Sequence, residues 1–160
     1  MGFKPFSRKS HNEFNDKVID FIKNNVFLDG YHLEKNADDF DIDVLIKNVF
    51  GQTRGFIEGE SHGKHWDEVF PFDTVNFLGR KLKYVRPNAY YVMTNFTGKS
   101  SVMIPFERLA TYKIQRRDTA VWKNDSIIEV PNEYCIWGWE DITKYISEDL
   151  KTNFIVFKNS

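Results

Sequence analysis

Apolar and polar positions first alternate at helical spacing. Phe14, Val18, Phe21, Ile22 and Asn25 share one side of residues 12–25, with Glu13, Asp16, Lys17 and Lys23 largely elsewhere, the period of an amphipathic helix. Ser10 or Asn12 can cap it, and Asp29-Gly30 marks a turn beyond its end. Residues 31–34 read as extended and lead into an acidic patch, Asp38, Asp39 and Asp41. Residues 42–46 are short, branched and apolar apart from Asp43, the pattern of a buried strand. A hairpin-like connection over 48–55 leads to a second strand, 55–60. Val75, Leu78, Leu82 and Val85 predict a helix over 74–85, stopped by Pro87-Asn88. Strands are expected at 89–95 and 101–105, a helix at 106–114, extended segments at 127–131 and 134–137, and a last helix at 142–150. The order predicts an α/β fold, a mixed central β-sheet flanked by helices. It forms one domain over 11–160 behind an N-terminal arm, 1–10.

Composition narrows the function classes. Lys and Arg number 22 against 23 Asp and Glu, a net charge of -1, so bulk attraction cannot be the basis of nucleic-acid binding. Cys135 is the single cysteine, which excludes an internal disulfide framework and a multi-cysteine zinc site. Its apolar neighbours Tyr134, Ile136 and Trp137 suit a buried small hydrophobe. No apolar run reaches the length of a membrane span, and the basic start lacks a signal peptide's apolar stretch. A cytoplasmic location and no membrane partner are therefore expected.

The candidate chemistry is carboxylate chemistry. Asp43 interrupts an apolar strand, and Glu58 and Glu60, two apart on the next, point to the same side. If the strands pair, Asp43 meets them there. Three carboxylates at one place repel each other and lose hydration unless a cation lies between them. Hard oxygen ligands with room for water and a phosphate oxygen suit Mg²⁺, with Mn²⁺ able to substitute. Two readings stay open at this point. Asp43 can be a solvent-facing edge residue, with Val44 and Ile46 holding the core, and the two glutamates the polar face of an ordinary strand. The break in a run that otherwise reads as buried on both faces favours a site.

A helix with an early acidic residue, a strand with Asp, a hairpin, a strand with Glu-x-Glu and a further helix resemble the PD-(D/E)XK nuclease superfamily, the restriction-endonuclease-like fold, over about two-thirds of the chain. The resemblance implies a metal-dependent nuclease, endonuclease or resolvase-like, acting on nucleic acid, DNA by expectation. A phage or bacterial source and a homodimer where both strands are cut would also suit it, although no residue marks a dimer interface. Asp43 takes the place of the motif Asp and Glu58 that of the Asp/Glu. Glu60 stands where Lys is usual, as in a Glu-x-Glu minority, and Ile42 stands where Pro is usual. Glu13 would match an optional outer acid on the first helix. Lys64 and Lys81 can each supply the displaced cation. Lys81, on the helix after the second motif strand, follows a relocation known in the superfamily and is preferred.

Two further features bear on this reading. His62, His65 and Asp67 invite a zinc site, but their spacing is not a helical pair and no cysteine lies near, so an exposed loop is the simpler account. Cations cluster at Arg80, Lys81, Lys83 and Arg86, and again at Lys113, Arg116 and Arg117. Each cluster alone suits a solvated face. Together with Lys64 they also suit a phosphate-binding rim around an acidic centre. A nuclease-like fold without turnover, binding nucleic acid or a protein partner, is the alternative expectation.

Overall fold

A computed structural model describes residues 8–62, 66–118 and 124–159, with side chains for 15–62, 66–118 and 124–152. Helix α1, Arg8–Asn25, leads into β1, Tyr31–Lys35, β2, Val44–Asn48, and β3, Thr53–Ser61. β4, Thr74–Leu78, and a 3₁₀ helix, Gly79–Tyr84, connect to β5, Ala89–Thr94, and β6, Ser101–Pro105. A one-turn helix α2, Phe106–Leu109, precedes β7, Ile114–Arg117, and β8, Asp125–Pro131. β9, Ile136–Trp137, and α3, Trp139–Asn159, close the chain.

The main sheet has the order β1-β2-β3-β5-β6-β9, with β3 and β5 parallel and the other neighbours antiparallel. A second sheet, β4-β8-β7, is antiparallel throughout. The alternation of a strand sends successive side chains to opposite faces, so the main sheet separates two cores. Val44, Ile46, Ile57, Tyr90, Val92 and Met103 pack with Val18, Ile19 and Ile22 of α1 and Ile142, Ile146 and Leu150 of α3. Leu45, Phe56, Tyr91, Met93 and Ile104 pack with Val75, Phe77, Ile128 and Val130 of the small sheet and Phe106 and Leu109 of α2. The protein is α/β with a mixed sheet, as expected. The long helices cover one face only, however, and the small sheet covers the other.

Several element boundaries correct the sequence reading. Residues 74–85 are not one helix. Their first half is β4, where Val75 and Phe77 are buried and Asn76 is exposed, a period of two that overrides the helical spacing. The helix expected over 106–114 stops at Leu109, and the basic segment beyond it is an exposed strand. α1 starts at Arg8, inside the expected arm. α3 runs past Leu150 to Asn159.

Gly59 sets how closely α1 lies on the sheet. A Cβ there would stand 2.6 Å from Val18 Cγ1 and 2.9 Å from Ile22 Cδ1, so only glycine lets the helix approach β3 at this point.

Candidate active site

The site begins where β2 leaves the ladder. Val44 is the last residue of β2 paired to β3, opposite Ile57, and the Ile42 carbonyl accepts from Asn36 Nδ2 at 3.0 Å instead. The Asp43 carboxylate takes over the vacated backbone role, Oδ2 accepting the Gly59 N–H at 2.9 Å. Its Oδ1 accepts from Asn15 Nδ2 on α1 at 3.0 Å. Glu58 is nearly enclosed, 4% exposed. Its Oε1 accepts the Asp43 N–H at 3.1 Å, and its Oε2 lies 2.6 Å from Lys81 Nζ. Lys81 comes from the 3₁₀ helix, which carries it back over the end of the β2–β3 pair.

Charge in this pocket is unbalanced. Burial pushes the Glu58 carboxyl up to about 8; the Lys81 ammonium opposes that rise and the adjoining Asp43 carboxyl adds to it. Burial works against the Lys81 charge as well. The surrounding Glu58, Glu60 and Asp43 carboxylates outweigh burial and hold the ammonium above the ordinary lysine value.

Glu60, two residues along the same face, receives a short hydrogen bond from the Tyr91 hydroxyl. Tyr91 is fully buried, and the Leu78 N–H donates to the same hydroxyl at 3.4 Å. Burial, and then Glu60, raise the Tyr91 phenol well above its usual range. Lys81 Nζ stands 5.9 Å from the centre of the Tyr91 ring.

Asp43, Glu58 and Lys81 are thus brought together as expected. Glu60, the third expected ligand, is engaged by Tyr91. Among the described residues, no group of three or more His, Cys, Asp or Glu side chains is arranged to hold a metal ion. Glu58, for its part, faces Lys81. The donor chemistry of Asp43 and Glu58 still fits one divalent ion. The two carboxylates adjoin, each oxygen keeps a lone pair beyond its one hydrogen bond, and Mg²⁺ commonly takes one or two carboxylates, with water and phosphate completing its shell.

The other expected residues are dispersed. Glu13 lies on α1, but its side chain is outside the described residues, as are Lys64 and His65. Arg80 pairs with Asp125 at 3.0 Å, and Arg86 with Asp41 at 3.4 Å while stacked 4.3 Å from the Phe56 ring centre. Arg117 pairs with Glu129 at 3.0 Å, and Arg116 is its exposed neighbour on β7. Lys83 is exposed, over the Tyr84 ring. His62 packs edge-on to Trp66 and Phe70 in an aromatic cluster. Cys135 is buried and its thiol is pushed up to about 12 by that burial. Asn15 and Tyr91 were not anticipated. Asn15 lies one turn before the buried Val18 on α1, and Tyr91 stands directly opposite Glu58 across the parallel pair. Those placements were the available signal.

No protein-family model, curated protein or solved structure matches this chain. Among the described residues, no helix is long and apolar enough to cross a membrane.

Proposed function

We propose that this protein is a divalent-metal-dependent nuclease of the PD-(D/E)XK type, hydrolysing phosphodiester bonds in nucleic acid, with DNA the expected substrate. The observation that carries the reading is Lys81 Nζ, 2.6 Å from Glu58 Oε2 beside Asp43. An ammonium lent by a neighbouring element supplies the cation that the strand position of Glu60 lacks. Asp43 and Glu58 would hold Mg²⁺ or Mn²⁺. When bound, such an ion polarises a phosphate oxygen and lowers the pKa of an attacking water.

The protein's own groups do the rest. Asn15 and the Gly59 N–H orient the Asp43 carboxylate. Lys81, kept charged by three carboxylates, stabilises negative charge developing on the phosphate. Glu60, held by Tyr91, is placed to orient water along the same face.

The test incubates labelled DNA and RNA, each single- and double-stranded, with the protein and Mg²⁺ or Mn²⁺, beside Asp43→Ala and Glu58→Gln. Metal-dependent cleavage lost in both variants is expected. Cleavage that survives Asp43→Ala removes that carboxylate from catalysis. One observation favours a second reading, a nuclease-like fold that binds without turnover: the protein's own donors already engage every carboxylate of the cluster. Nucleic-acid or protein binding with no cleavage under any condition would select it.

A further inference from the structure

The nuclease reading leaves open what form of nucleic acid reaches Asp43. Duplex binding rests largely on Lys and Arg neutralising phosphates. Here four of the cations in the two basic clusters are engaged within the molecule. Arg80, Arg86 and Arg117 are each paired with a carboxylate, and Lys81 is held against Glu58.

An aromatic ring also stands exposed on the loop that leads into the site. Phe40 is 84% exposed, three residues before Asp43 on the connection from β1 to β2. That connection is well braced. The Asn36 N–H donates to the Asp43 carbonyl at 2.9 Å, the Asp38 N–H to Asn36 Oδ1 at 3.1 Å, and the Phe40 N–H to Asp38 Oδ1 at 2.9 Å. The Ile42 N–H donates to Asp41 Oδ1 at 2.8 Å, and Arg86 ties the same carboxylate from across the fold. An apolar ring is therefore presented to water on a loop whose far end is the site carboxylate itself. The acids around it, Asp38, Asp39 and Asp41, repel a phosphate backbone but leave the flat face of a base unopposed. Lys81 and the exposed Lys83 lie on the other element bordering the site and mark the side on which phosphates would run.

We infer that the substrate is single-stranded or locally unpaired nucleic acid, with a base next to the scissile phosphate stacked on Phe40. This inference rests on the nuclease reading and specifies its substrate class. Stacking tolerates any base, because every base has a π-face. Cleavage is then selective for strand state rather than for sequence.

The test measures binding of a single strand carrying 2-aminopurine, and of the duplex made from it, in Ca²⁺ buffer, followed by cleavage of both in Mg²⁺. Wild-type protein is expected to bind the single strand at least about tenfold more tightly than the duplex, with a shallow salt dependence and a change in aminopurine emission. Phe40→Ala should weaken single-strand binding about tenfold and abolish the emission change, with an unchanged melting temperature. Phe40→Trp should restore both. Duplex cleaved as readily as single strand, with Phe40→Ala indistinguishable from wild type, overturns this inference and leaves the nuclease reading standing. Neither form bound nor cut overturns both.

Discussion

Tyr90 and Tyr91 are neighbours on β5, both fully buried, and both end on a carboxylate, but on opposite faces of the sheet. On the helical face the Tyr90 hydroxyl donates to Asp149 Oδ2 at 2.5 Å, and Asn88 Nδ2 reaches Tyr90 Oη at 3.3 Å and Asp149 Oδ2 at 3.4 Å. Burial, and then Asp149, raise the Tyr90 phenol. One acid meets two neutral donors there, and the cluster is complete. On the other face Tyr91 meets Glu60, with Glu58 and Asp43 near and Lys81 set among the three. A carboxylate satisfied by neutral donors is a structural joint. Three acidic side chains around one ammonium, with Glu58 holding its proton until a cation displaces it, are a cluster that a divalent ion would complete.

The contrast is broken most forcefully at Lys81. Lys81→Met should lower cleavage about 10²- to 10³-fold, read in single-turnover assays at saturating metal; an unchanged rate would show that the ammonium only balances Glu58. Next in size is pH. The folded protein keeps a proton on Glu58 up to about pH 8, whereas the unfolded chain releases it near pH 4.5. The fold therefore binds more protons than the unfolded chain across that window, and stability falls as pH rises through it. The slope is at most about 1.4 kcal/mol per pH unit. Urea unfolding of metal-free protein at pH 5.5, 7 and 8.5 measures it, and Glu58→Gln should flatten the profile.

Gly59→Ala should cost about 1–3 kcal/mol of stability, because its Cβ meets Val18 and Ile22 at sub-contact distances. A melting temperature equal to wild type would mean that α1 moves aside freely. The smallest effect sharpens the comparison. Tyr90→Phe should lose about 1 kcal/mol of stability while leaving cleavage unchanged, whereas Tyr91→Phe should lower cleavage by releasing Glu60. Equal effects of the two on cleavage would erase the distinction between the faces.

Asp43 and Glu58 were legible in the sequence because strand period and a short hairpin are local rules: one polar break and one Glu-x-Glu sufficed to place them side by side. The small sheet was not legible. Thr74–Leu78 has two buried residues in five, too short a run to separate a period of two from a helical one. Ile114–Arg117 is exposed throughout and carries no apolar alternation to read. Asn15 and Tyr91 act through pairings distant in sequence, which no local pattern records. The catalytic role expected of Lys81 follows from the resemblance, and the element that carries it, in place of a long helix, is a 3₁₀ helix after a strand.

The lysine's origin in the crossover ties the site to a second part of the fold. Asp43 and Glu58 meet through a hairpin whose turn is closed by Asn48, its side-chain oxygen accepting the N–H groups of Phe50 and Gln52 at 3.0 Å each. Such closure is fast. Lys81 arrives only when the segment between β3 and β5 folds back, and β4 within that segment is held by a partner as remote as Ile128 opposite Phe77. Contacts of that separation form slowly. The acids are joined by a hairpin and their counterion by a crossover, so the charge cluster depends on two connections at once.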